Sequence, residues 1–232
     1  MNTSATSNDR NPLIGRAAPL WLLTGFWISI AISIAIVVRR LVAILHPSQS
    51  GPPQLAALDT AFASHAALTV AHIVPAMAFV LLTPSVFLRR TEAPWAERLL
   101  FPLGAVVGVT AYAMNTYSIG GWIERSAVLL FDTLFLFSLA RAYKYMRRGE
   151  PLLKRRWMTR AVGILLGIAT TRPVMGIFFA SSRWTHLEPR QFFGIAFWIG
   201  FSINTIAVEL WLHSRERQSQ AERMAVHLGM QL

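Results

Sequence analysis

The stretch WLLTGFWISIAISIAIVVRRLVAIL, residues 21–45, decides the fold class. It contains no acid, and its two arginines, Arg39 and Arg40, lie near its far end, where long side chains reach headgroups. A helix rises about 1.5 Å per residue, so this run crosses a hydrocarbon layer about 30 Å thick. It is too long for a signal-peptide core and no small-residue cleavage site follows it, so an uncleaved first helix is expected. Further apolar runs occupy 59–88, 99–118, 122–146, 157–180 and 190–213. Strand-like alternation is absent, and an open strand edge in lipid leaves backbone groups unpaired. The expected fold is an all-α polytopic membrane bundle of six transmembrane helices. Residues 1–20 read as a flexible cytoplasmic arm, 21–213 as the bundle and 214–232 as a cytoplasmic tail.

Composition agrees. Only 14% of the residues are charged, against roughly a quarter in soluble domains. The formal net charge of +11 gathers at the ends of the apolar runs. That placement points to membrane orientation and anionic lipid rather than to nucleic acid, which needs a continuous basic surface in water. The chain has no cysteine, which excludes disulfides, iron–sulfur clusters and thiolate metal sites.

Lysine and arginine also set a direction. With the N-terminus inside, the outer half holds Arg39, Arg40, Arg125, Arg172, Arg183 and Arg190, leaving 16 of the 22 on the inner side. The positive-inside rule then places both termini in the cytoplasm. The densest cluster is Arg147, Arg148, Lys154, Arg155 and Arg156, read as a basic loop touching anionic lipid. Trp21, Trp122, Trp157 and Trp184 suit an interfacial aromatic belt.

Ionisable groups deep in a bilayer are functional candidates by default. His72, Asp132 and Arg172 fall at similar depth on different helices and form a candidate polar layer, for a structural ion pair or for proton or ligand handling. His65 and His72 lie two turns apart on one helix face and are candidate haem ligands, with His46 and His186 near the outer surface. Glu209 sits near the inner end of the last helix, in reach of Arg98, Arg141 or Arg160, and Asn204 precedes it by five residues. Gly104 with Gly108, and Gly163 with Gly167, are small-xxx-small pairs that permit close helix approach. There is no phosphate loop, no H-E-x-x-H and no G-x-S-x-G. Clustered carboxylates and inverted repeats with broken segments are also missing.

The run Arg155-Arg156-Trp157-Met158-Thr159-Arg160, with Arg172 in the next apolar stretch, resembles a bacterial family of predicted membrane proteins known as domain of unknown function 2306. The resemblance covers roughly residues 65–212. His72 matches a helix histidine of that family. Arg156, Trp157, Met158 and Arg160 match its loop motif, Arg172 its helix arginine, and Asn204 with Glu209 its final polar pair. Glu97 and Lys154 stand where the family pattern has histidines. The resemblance implies a bacterial inner-membrane helix bundle; if those histidines hold haem or metal, it also implies that this chain has lost two of them.

The leading functional expectation is a non-enzymatic inner-membrane protein without cofactor, serving as an accessory subunit beside other membrane subunits. The alternatives are a cytochrome-b-like redox protein handling haem b or quinone, and a small proton-linked transporter.

Overall fold

A computed structural model describes residues 19–45, 60, 62–87, 94–186 and 188–229. They form seven helices: α1 (Leu20–Leu45), α2 (Ala66–Phe87), α3 (Pro94–Asn115), α4 (Gly121–Arg147), α5 (Pro151–Leu165), α6 (Gly167–Thr185) and α7 (Pro189–Gly229). No strand occurs among the described residues. Five segments are long and apolar enough to cross a membrane: Leu20–Leu45, Ala66–Pro84, Trp95–Asn115, Pro151–Ser182 and Arg190–Ala221. The fourth of these joins α5 to α6. The all-α membrane class expected from the apolar runs is therefore what the chain adopts.

Three boundaries differ from the sequence reading. The basic run was expected to be a loop over 147–156, yet only residues 148–150 connect α4 to α5. Gly149 takes φ +69, the left-handed conformation that ends a helix without a Cβ penalty, and its N–H bonds the Met146 carbonyl. Pro151 then opens α5, where a missing N–H costs nothing. Lys154, Arg155 and Arg156 thus ride on a helix. The expected fifth helix is also interrupted at Leu166. The last helix, expected to stop near residue 213, continues unbroken to Gly229. The expected limits of the second helix, at residues 59 and 88, lie outside the described residues, as do His46 and most of the N-terminal arm.

The helices pack in a ring. α2 lies on α3, α3 on α4, and α4 on both α5 and α7; α7 also holds α6, and α1 closes the ring against α2 and α6. Phe79, Leu100, Phe135, Met158 and Phe193 fill the centre. Phe131 stacks on Phe201 at 5.3 Å and meets Trp198 edge-on at 5.6 Å.

Helices gain little from apolar burial when lipid is the solvent, so close packing and polar contacts hold them together. Both glycine pairs serve that purpose within the chain. A Cβ at Gly104 would meet Leu139, Phe79 and Phe135, and one at Gly108 would meet Leu136. Gly163 faces Val208 and Gly167 faces Phe201. The closest approaches to another helix's backbone, however, are at Gly194 and Gly200 on α7, which lie against Glu124 and Thr171. Their six-residue spacing does not match a four-residue motif.

The interruption at Leu166 has a polar clasp. Asn204 Nδ2 donates to the Gly163 carbonyl at 3.3 Å, and Thr170 Oγ1 donates to Asn204 Oδ1 at 2.7 Å. Broken helical ladders leave carbonyls that neighbouring side chains can satisfy. Asn204 therefore braces α5 and α6 and makes no bond to Glu209. Asn204→Leu is expected to lower stability by about 1 kcal/mol, read as a drop in the thermal unfolding midpoint in detergent.

Candidate functional site: a cationic cleft between α4, α5 and α7

The three groups of the candidate polar layer do not meet. His72 Nδ1 lies 2.9 Å from Thr110 Oγ1, which itself donates to the Val106 carbonyl at 2.6 Å. With the hydroxyl proton so directed, the imidazole donates to the hydroxyl oxygen. Asp132 makes no ion pair among the described residues, and its Oδ2 is buried without a hydrogen-bond partner. Arg172 has Arg40, Arg39 and Glu124 as its charged neighbours. Thr110→Val should cost about 1 kcal/mol by stranding the imidazole, seen as a lower unfolding midpoint.

Glu124 escaped the sequence reading. It is buried, and its Oε2 accepts the Gly120 N–H at 2.6 Å, one turn back across the start of α4. An acid in a first turn following Gly-Gly was the available signal, since such residues cap free N–H groups.

His65 lies apart from His72 in its contacts. Its ring sits 3.7 Å from that of Tyr117, and its Nδ1 is 3.0 Å from Ser64 Oγ. The cavity beside it, bounded by Phe62, Thr69 and Met114 among others, measures about 20 Å³, far smaller than a haem. Among the described residues no group of three or more His, Asp or Glu is arranged to hold a metal ion.

The larger opening lies at the far end of the bundle. A cleft of about 520 Å³ runs between α4, α5 and α7. Its walls change character along the helix axes. Leu134, Phe137 and Ile164 line the deeper part, while Arg141, Tyr145, Arg156, Trp157, Arg160 and Glu209 line the part nearer the α4–α5 turn. On α4, residues 134, 137, 141 and 145 repeat at three and four, which puts them on one helical face.

The polar end is tied by ion pairs. Arg160 forks onto Glu209, with Nε 2.5 Å from Oε1 and Nη2 2.9 Å from Oε2. Arg156 pairs with Glu216 one turn further out. Lys154 Nζ reaches Glu97 on α3 at 2.8 Å. Of the presumed lipid-facing basic cluster, Lys154 and Arg156 are thus committed to acids of the bundle, while Arg147, Arg148 and Arg155 remain exposed. Of the three arginines the sequence puts in reach of Glu209, Arg160 is the one that pairs with it. Trp157, expected in the aromatic belt, carries cations here: Arg160 lies 4.6 Å and Arg141 5.2 Å from its ring centre, and Phe137 meets it edge-on at 5.5 Å. Cation–π contacts of this kind hold a guanidinium in place without neutralising it.

Over residues 69–212, more than half of its 232, the chain matches the family described as "Predicted membrane protein (DUF2306)". The chain belongs to that family. No curated protein and no solved structure matches it. The family region runs from α2 into α7 and includes His72 and every residue of the cleft. The resemblance drawn from the Arg-Trp-Met-x-Arg run spans nearly the same residues. Glu97 and Lys154 are partners in one ion pair. Exchanging them (Glu97→Lys with Lys154→Glu) should restore most of the roughly 1 kcal/mol lost in either single charge reversal, in thermal unfolding.

Proposed function

We propose that this family member is a non-enzymatic protein of the bacterial inner membrane that takes an amphiphilic ligand sideways from the cytoplasmic leaflet into the α4–α5–α7 cleft. The polarity gradient of the cleft carries this reading. Its apolar part lies toward the middle of the helices, and its charged part lies about 9 Å from the end of α4, six residues before Arg147. An amphiphile standing in a leaflet has the same gradient. Phe137 and Leu134, on the cleft wall, are 52% and 36% exposed and open toward lipid. Small-molecule sites are commonly concave, mostly apolar and fitted with a few converging polar groups.

The orientation is part of the proposal. It counts α4 as the sixth span, despite its Glu124, Arg125, Asp132 and Arg141, and puts both termini inside on the strength of the lysine and arginine asymmetry. A reporter fused after Leu232 should be active only in the cytoplasm; activity only in the periplasm would overturn the orientation.

Ligand uptake is tested with a blocking variant. Leu134→Trp adds bulk at the lateral mouth. Native mass spectrometry should find a lipid-sized adduct on the wild type and lose it in the variant, with the unfolding midpoint nearly unchanged. An adduct equally abundant in both would count against the cleft. The accessory-subunit reading retains its short loops, but its glycine faces are filled from within the chain. One observation favours a second reading, proton-linked transport: among the described residues the buried Oδ2 of Asp132 has no hydrogen-bond partner. Proton flux in proteoliposomes that Asp132→Asn abolishes would support it; flux equal in both proteins would remove it.

A further inference from the structure

This inference rests on the amphiphile reading and names the head group. Arg141, Arg156 and Arg160 all line the cleft, but they are differently engaged. Arg160 has both nitrogens of its fork on Glu209. Arg156 gives Nη1 to Glu216 and keeps a buried Nε with no partner. Arg141 has no acid at all among the described residues. Its Nη2 donates to Tyr145 Oη at 2.7 Å, and its Nε is buried and unbonded.

A guanidinium drawn into a low-dielectric site without an anion is costly, and its planar fork matches the oxygens of a phosphate or carboxylate. The rings of Tyr145 and Trp157, 5.1 and 5.2 Å from the Arg141 guanidinium, hold it in place and supply no negative charge. We infer that the cleft seats an oxyanion head group on the guanidinium of Arg141, beside that of Arg156, with the attached chain lying along Leu134 and Phe137. Arg160 is not part of this seat; it fixes α5 to α7.

The test uses the full-length protein in a neutral detergent, with native mass spectrometry as readout. The probes are phosphatidylglycerol, diacylglycerol (which has no oxyanion) and inorganic phosphate. Phosphatidylglycerol should be retained at least about tenfold better than diacylglycerol, the scale of one charge-assisted hydrogen bond. Arg141→Gln should reduce it to the diacylglycerol level, and Arg156→Gln should weaken it less. Arg141→Lys should recover part of the preference, which separates the charge from any loss of fold. Equal retention of both lipids, blocked by Leu134→Trp, would overturn the oxyanion seat and leave the amphiphile reading standing. Retention of neither lipid would overturn both. Binding of inorganic phosphate alone, lost in Arg141→Gln, would keep the seat and overturn the amphiphile.

Discussion

Gly200→Leu is expected to leave almost no folded protein. A Cβ at this position would stand 2.6 Å from the backbone nitrogen of Thr171 and 2.8 Å from its Cα. Backbone atoms cannot swing aside as a side-chain tip does, so α6 and α7 would have to separate. Overpacking of this kind costs about 3 kcal/mol, enough to unseat a marginally stable bundle. The fraction recovered as a single species by size-exclusion chromatography in detergent measures it. Gly25→Leu is the matched control. No atom lies within 4 Å of a Cβ there, so normal recovery is expected. Normal recovery of Gly200→Leu would mean that α6 and α7 do not cross at this residue.

Arg160→Gln should be the most damaging of the charge-removing substitutions. It strands Glu209, whose two oxygens both face Arg160. Breaking a fully buried pair costs about 3–5 kcal/mol, but Glu209 is 36% exposed and water recovers part of that, leaving about 2 kcal/mol. Glu209→Gln should cost a similar amount, and Arg160→Glu with Glu209→Arg should regain more than half. Thermal unfolding of the four proteins completes the cycle. If the reversed pair is no better than either single variant, the fork contributes little. Arg141→Gln should leave the unfolding midpoint unmoved, because no acid depends on Arg141.

The membrane class was legible because bilayer thickness imposes itself on every span: apolar runs of about 20 residues have few other uses. The Arg160–Glu209 pair was legible for a related reason, since both groups had to lie at one depth near a helix end. Depth alone was not enough for His72, Asp132 and Arg172. Three groups at one height meet only if their helices are turned toward each other, and rotation is set by packing; for α4 and α6 that includes the contacts with Gly194 and Gly200, which form no four-residue motif. Lys154, Arg155 and Arg156 looked like a loop because charge is usually read as exposure to water. Their helical setting depends on Glu97 and Glu216, 57 and 60 residues away. Trp157 was assigned to the interface by residue type, but the guanidinium groups on its faces come from α4 and from the next turn of α5.

The ion pairs between α5 and α7 fix more than proximity. Arg156 and Arg160 are one turn apart on α5, and their partners, Glu216 and Glu209, are two turns apart on α7. Two pins, about 10 Å apart along α7, act like the prongs of a plug. Sliding α7 by one residue would turn its face by about 100° and pull both prongs out together. The helix pair is therefore locked against both sliding and rotation. The clasp of Asn204 on Gly163 and Thr170 carries that lock across Leu166 into α6.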